Sequence, residues 1–164
     1  MSAAVMMQGG ARAASLTDKD VQVMVRAIGF LQPQPADGGI IAIAYDASNP
    51  ASKQDAEVIS GHFGTGLKAG RALLIPRVMD ERHLTAQGIV AIIAANGVDI
   101  DAVAAAGRVL HVPCMTGEIS LVRAGRCVLS VRSDPKVEIT VSRVAAASGD
   151  VTFASAFLMM VNQF

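Results

Sequence analysis

Apolar runs and polar breaks along the chain predict a helix followed by alternating strands and helices. Two runs, Gly39–Tyr45 and Gly88–Ala95, are apolar at nearly every position, which is typical of strands buried on both faces of a parallel sheet. Apolar residues after Thr17 instead recur at helical spacing, and the Thr17 hydroxyl can cap that helix. The pattern therefore predicts an opening helix before the first strand.

Turn and cap residues place the other elements. Ser48 or Asn49 can cap a second helix that begins at Pro50, and Asp99 can cap a third helix over 100–107 that ends at Gly107. The remaining predicted elements are strands at Arg71–Val78, Val109–Pro113, Cys127–Arg132 and Lys136–Ser142, short helices or turns at Glu81–Gln87 and Gly117–Ala124, and a closing helix at Phe153–Asn162.

This order of elements predicts an α/β fold in three layers. Crossovers of this length favour a mostly parallel sheet with helices on both faces. Within Lys136–Ser142, apolar and polar residues alternate, so that strand should form an antiparallel edge hairpin with its neighbour. A chain of 164 residues suits one domain, which we place at residues 15–164.

The first fourteen residues differ from the rest. Ala3–Met7 is apolar, and Ala11, Arg12 and Ala13 fit the small-x-small pattern that precedes a signal-peptidase cut. We interpret residues 1–14 as the tail of a signal peptide, with a disordered N-terminus as the alternative. Export would place the mature chain in an oxidising compartment.

Charge and motifs argue against several classes of function. Lys plus Arg and Asp plus Glu number 14 each, so no net charge attracts nucleic acid. No run of eighteen apolar residues predicts a membrane span. Gly64–Gly70 lacks the spacing of a phosphate-binding loop, and no Gly-x-Ser-x-Gly motif occurs. We therefore expect neither an enzyme nor a cofactor.

Asp46, Ser48 and Asn49 form the first candidate site. They follow the first strand, and ligands of open α/β sheets bind outside the carboxyl ends of the strands. The free N–H groups at the start of the next helix would favour an anion there. Helix capping alone requires the same residue types, so both interpretations stay open.

The two cysteines form the second candidate site. Cys114 follows the predicted fourth strand and Cys127 opens the fifth, so neighbouring strand ends can bring them within disulfide distance. In an exported protein this favours a disulfide, with two buried thiols as the alternative. His111 and Cys114 have metal-like spacing, but two ligands do not make a zinc site, so we expect a structural histidine and no metal.

The predicted closing helix is apolar nearly all round. Phe157, Met159, Met160 and Phe164 lie in or directly after it. Such a helix is usually buried, but one face can also serve as a surface for a partner or a second copy of the chain, and methionine adapts well to an interface. Core packing and partner binding both remain open.

Several segments together carry a family resemblance over Val21–Phe164. In chain order they are an aromatic-then-proline helix end at Gly29–Pro33, a strand at Gly39–Asp46, a strand at Val109–Pro113, a strand at Gly125–Val131, an alternating strand at Lys136–Ser142, an Ala-rich link at Val144–Ala147 and a Ser-containing helix at Ser155–Met160. In this order the chain resembles the YfiR-like family of periplasmic proteins (the DUF4154 domain).

The resemblance implies a periplasmic regulatory protein of a bacterium. The best understood members bind the periplasmic part of an inner-membrane diguanylate cyclase, an enzyme of c-di-GMP signalling, and hold it inactive. Some are dimers sensitive to disulfide state, which implies a redox role for Cys114 and Cys127. The alternative is a periplasmic small-solute-binding protein that uses the junction of the first strand and second helix, at Asp46, Ser48 and Asn49.

Overall fold

The first helix begins where its sequence pattern predicts. In the computed structural model, which describes residues 14–164, α1 (Asp18–Ile28) is closed at its start by a capping box. Thr17 Oγ1 accepts a hydrogen bond from the N–H of Asp20, and the Asp20 carboxylate accepts one from the N–H of Thr17. The apolar face of α1, which includes Val21 and Val25, is fully buried.

The second helix also confirms its prediction. Asn49 Oδ1 accepts a hydrogen bond of 3.1 Å from the N–H of Ala51, and Pro50 occupies the first position of α2 (Pro50–Gly61). Ala56 and Ile59 are buried against the sheet. This cap fixes the direction in which the chain leaves the first strand.

The remaining elements complete the two helical layers and the sheet. The other helices are α3 (Ile100–Leu110), α4 (Ile119–Arg123), α5 (Arg143–Ser148) and α6 (Ser155–Leu158), with a turn of 3-10 helix at Glu81–His83. The strands are β1 (Ile40–Tyr45), β2 (Leu67–Ala69), β3 (Ala72–Asp80), β4 (Ile89–Ala94), β5 (Cys114–Thr116), β6 (Leu129–Arg132), β7 (Glu138–Val141) and β8 (Asn162–Gln163).

The sheet has the order β2-β3-β1-β4-β5-β6-β7-β8. The pairs from β3 to β6 are parallel, as is β7 with β8, whereas β2–β3 and β6–β7 are antiparallel. The predicted fold class, a three-layer and mostly parallel α/β fold with an antiparallel hairpin, is confirmed.

Each face of the sheet has its own core. Ile41 and Ile43 of β1 lie in one cluster with the buried faces of α1 and α2. Ala42 and Ala44, which alternate with them, lie in a second cluster with Val103 of α3. Continuous apolar runs were therefore a sound indication of strands covered on both faces.

The predicted end of α3 and the strand after it are wrong. The helix does not end at Gly107 but continues to Leu110, where His111 adopts a left-handed conformation (φ 56°). Gly107 serves close packing instead, since a Cβ there would lie 3.1 Å from the carbonyl oxygen of Val112. The strand predicted at Val109–Pro113 is displaced to β5.

The closing helix predicted at Phe153–Asn162 is also wrong. Only α6 is helical, while Phe153 forms an isolated bridge with Leu31 and β8 pairs with β7. A uniformly apolar segment has no period that separates helix from strand. Here the backbone groups of its last residues are satisfied at the edge of the sheet.

Two segments predicted as irregular have regular structure. The link predicted at Val144–Ala147 belongs to α5, whose first turn is capped by Ser142 Oγ, which accepts a hydrogen bond of 3.1 Å from the N–H of Ala145. The loop predicted at Gly64–Gly70 contains β2. The signal-peptide prediction for residues 1–14 lies outside the described residues except for Ala14.

Candidate functional site

The chain leaves β1 and β4 towards opposite faces of the sheet. After β1 it enters α2 in one helical layer, and after β4 it enters α3 in the other. β1 and β4 are parallel neighbours, so their diverging connections open a space beyond their carboxyl ends. This is the topological switch point at which open α/β sheets bind ligands.

A cavity of about 520 Å³ lies at this point, within the size range of small-molecule sites. We call it the switch-point crevice. Its lining includes Asn49, Gln54 and Asp55 from α2 and its cap, Asn96 and Gly97 from the loop after β4, and Glu118 after β5.

The three predicted ligand residues lie in one turn, and only Asn49 lines the crevice. Asp46 Oδ1 accepts hydrogen bonds from the N–H and the hydroxyl of Ser48, at 2.9 and 2.7 Å. These two hydrogen bonds hold the pKa of the Asp46 carboxyl below its ordinary value. Asp46 and Ser48 thus bind each other, and their role toward a ligand stays a prediction.

The start of α2 offers an anion few donors. The N–H of Ala51 donates to Asn49 Oδ1, and the N–H groups of Ser52 and Lys53 donate to the carbonyl oxygen of Asn49. Within the described part of the chain, residues 14–164, the lining of the crevice contains the carboxylates of Asp55 and Glu118 and no Lys, Arg or His side chain. Its electrostatics oppose the anion that the sequence led us to expect.

A buried carboxylate lies nearby on the other side of β1. Glu81 Oε2 accepts a hydrogen bond of 2.6 Å from the N–H of Asp99, the cap residue of α3. Burial raises the pKa of Glu81, the hydrogen bond from Asp99 opposes this, and the neighbouring carboxylates of Asp46, Asp99 and Asp80 raise it further. Sequence reasoning assigned Glu81 only to a short helix or turn, because no periodicity marks a carboxylate that turns inward from a loop.

The histidines lie apart and make local contacts. His62 Nε2 lies 3.1 Å from the carbonyl oxygen of Leu16, and His111 Nδ1 lies 3.4 Å from Asp150 Oδ2. His111 caps α3 and does not sit on a strand, which corrects the prediction. Within residues 14–164 no three His, Cys, Asp or Glu side chains are arranged to hold a metal ion.

Cys114 and Cys127 form the predicted disulfide. Their Cα atoms are 4.9 Å apart, and both residues are buried. The bond joins the first residue of β5 to the segment before β6, within the core that Val103 and Val122 also line. A redox role for this disulfide stays a prediction.

The predicted partner residues near the C-terminus divide between core and surface. Phe157 is 2% exposed, and its ring lies 5.1 Å from the rings of both Phe30 and Phe153. Met159, Met160 and Phe164 are 87%, 69% and 48% exposed. These three residues are called the C-terminal surface below.

Backbone and side-chain contacts hold Phe164 in place. Its N–H donates to the carbonyl oxygen of Val141 at 2.9 Å, and its own carbonyl oxygen accepts from the N–H of Arg143 at 2.7 Å. The guanidinium of Arg123 lies 5.2 Å from the centre of the ring. The exposed aromatic ring is therefore presented in a fixed orientation beside β8.

Among residues 14–164, no helix combines the length and the apolar character that crossing a bilayer requires. The chain matches no protein-family model and no curated protein sequence.

Proposed function

We propose that this protein is a non-enzymatic regulator that binds another protein through the C-terminal surface. The observation that best supports the proposal is the exposure of Met159 and Met160, two adjacent flexible apolar side chains. Clustered exposed apolar groups mark sites of protein contact, and methionine adapts to the shape of a partner. Burial of Phe157 beneath this segment gives it a rigid support.

The surface borders an edge of the sheet at which no further strand of residues 14–164 pairs. β8 pairs with β7 on one side and is the last strand in the order. Edge strands can accept a further strand from a partner, which adds backbone hydrogen bonds to the apolar contact. We therefore propose a partner segment that packs on Met159 and Phe164 alongside β8.

The family resemblance supplies the partner in this proposal. It is the periplasmic part of an inner-membrane signalling protein such as a diguanylate cyclase. Binding would favour the inactive state of that protein by a population shift. The buried disulfide is consistent with an oxidising compartment, and we propose the periplasm as its location.

A pulldown from solubilised membranes of the source organism tests the proposal. The bait is the full chain, compared with the double variant Met159→Ser/Met160→Ser. The matched control is Val109→Ser, since Val109 is also strongly exposed (77%) but lies near the end of α3. We expect capture of an inner-membrane signalling protein by the wild type and the control but not by the double variant.

A second measurement tests regulation directly. The captured protein is purified, and its synthesis of c-di-GMP is measured with and without the full chain. We expect wild-type protein to lower that activity and the double variant to leave it unchanged. Equal capture by all three baits, or an activity that the wild type does not change, would overturn the proposal. Light scattering of the same baits shows whether the surface instead joins two copies of the chain.

A further inference from the structure

We infer that the switch-point crevice binds a small polar solute that carries a protonated amine. The inference is independent of the regulator proposal, because the crevice lining shares no residue with the C-terminal surface. The two are also separated across the sheet. The crevice is at the carboxyl ends of β1, β4 and β5, whereas β8 is the edge strand, three strands beyond β5 in the sheet order.

Glu118 supplies the first carboxylate. Its backbone N–H donates to Thr116 Oγ1 at 3.0 Å, which fixes Glu118 two residues after the end of β5. Its side chain is half-buried and makes no hydrogen bond or ion pair within residues 14–164. A half-buried carboxylate that lines a cavity without a partner is suited to an ammonium group, because a charge-assisted hydrogen bond is stronger than a neutral one.

Asp55 supplies the second carboxylate. Its Oδ2 accepts a hydrogen bond of 2.8 Å from the N–H of Asn96, so α2 and the loop after β4 are held together across the crevice. Among residues 14–164, no cationic side chain lines the crevice, so none of them neutralises the charges of Asp55 and Glu118 there. A cationic ligand would be attracted by both groups and an anion repelled by both.

The walls of the crevice contact each other at Gly97 and Asn49. Gly97 has φ +78°, and a Cβ at that position would lie 2.7 Å from Asn49 Nδ2. This close approach leaves the Asn49 side chain packed against the loop after β4. The amide groups of Asn49 and Gln54 are neutral and can hydrogen-bond the hydroxyl groups of a solute. The ligand class is therefore a hydroxylated or extended amine.

Amide chemical shifts of the full chain can test the inference at about pH 6, where an aliphatic amine is protonated. The probes are ethanolamine, putrescine and glucosamine, with N-acetylglucosamine as the uncharged match of glucosamine and gluconate as the anion. We expect at least one amine to shift the amides of Asn49, Asn96 and Gly97 saturably. N-acetylglucosamine and gluconate should leave them unchanged at the same ionic strength.

Two variants distinguish amine binding at the crevice from general attraction of a cation to a negatively charged surface. Glu118→Gln removes one carboxylate of the crevice, and Glu57→Gln removes the same charge from an exposed position of α2 outside the lining. We expect Glu118→Gln to weaken amine binding about tenfold or more and Glu57→Gln to leave it unchanged, with both spectra showing an intact fold. Saturable binding of gluconate, equal binding of glucosamine and its acetylated match, equal loss in both variants, or no saturable shift with any amine would each overturn the inference.

Discussion

The hydroxyl of Ser133 donates a hydrogen bond of 2.5 Å to Oδ1 of Asp20, and this bond joins the turn between β6 and β7 to the first turn of α1. Burial acts to raise the pKa of the Asp20 carboxyl, but hydrogen bonds from Ser133 and Thr17 outweigh it and lower the pKa below its ordinary value. The charged carboxylate therefore stabilises the fold between two elements far apart in sequence.

We expect Ser133→Ala to lower the free energy of unfolding by about 1–3 kcal/mol at neutral pH, because it removes a buried bond to a charged group. The contribution of Asp20 is present above its unfolded pKa of about 3.9 and is lost as the pH falls through the lowered folded value. Urea unfolding at neutral and acid pH should thus show a smaller difference in acid. Ser148→Ala, which removes an exposed hydroxyl of α5, is the control, and a loss for Ser133→Ala that does not change with pH would contradict the prediction.

The contribution of Glu81 to stability depends on pH in the opposite direction to that of Asp20. Its pKa is raised in the folded state, chiefly by burial, so its favourable contribution is present below the unfolded pKa of about 4.3 and is lost as the pH rises through the folded value. We expect Glu81→Gln to raise the free energy of unfolding at neutral pH by at most about 1 kcal/mol. The amide oxygen can still accept the hydrogen bond from Asp99.

The gain for Glu81→Gln should disappear at about pH 3, well below the unfolded pKa, where the wild-type carboxyl is protonated in both states. Urea unfolding at the two pH values measures it. Glu138→Gln removes an exposed carboxylate of β7 and should change stability little at either pH. A variant at Glu81 that is less stable than wild type at neutral pH would show that the charged hydrogen bond to Asp99 outweighs burial.

Reduction of the disulfide should cost stability. The bond between Cys114 and Cys127 spans a sequence separation of 13 residues, for which the chain-entropy model gives about 3 kcal/mol. We expect unfolding midpoints of the wild type to fall when reductant is present, and those of Cys114→Ala/Cys127→Ala to be insensitive to it. If reductant changed neither the stability of the wild type nor its capture of a partner, the proposed redox role would fail.

The regular parts of the fold could be predicted because local chemistry and tertiary packing agree there. The caps Thr17 and Asn49 and the continuous apolar run of β1 each determine their element within a few residues. Val109 was misassigned because an exposed apolar residue near the end of α3 resembles the start of a strand. β2 and β8 are two or three residues long, so they depend on pairing partners that the local sequence does not show.

Of the candidate site, only Asn49, the residue that caps α2, could be predicted from the sequence. Asn49 follows β1, and its capping role drew attention to the correct end of the sheet. Asp55 and Glu118 come from different connections, and the fold alone brings them to one cavity. The sequence favoured an anion because it shows the donors at a helix start but not whether they are already used, as those of α2 are by Asn49.

Phe157 and Met159 are two residues apart, and the structure assigns them opposite roles. Phe157→Ala should lower the free energy of unfolding by about 3–5 kcal/mol, because it opens a cavity beneath the rings of Phe30 and Phe153. Met159→Ala should change it by less than about 0.5 kcal/mol, because the side chain is in solvent. Urea unfolding at several protein concentrations measures both and also detects self-association. A large and concentration-dependent loss for Met159→Ala would mean that a second copy of the chain covers the C-terminal surface, whereas a small loss would leave that surface open for another protein.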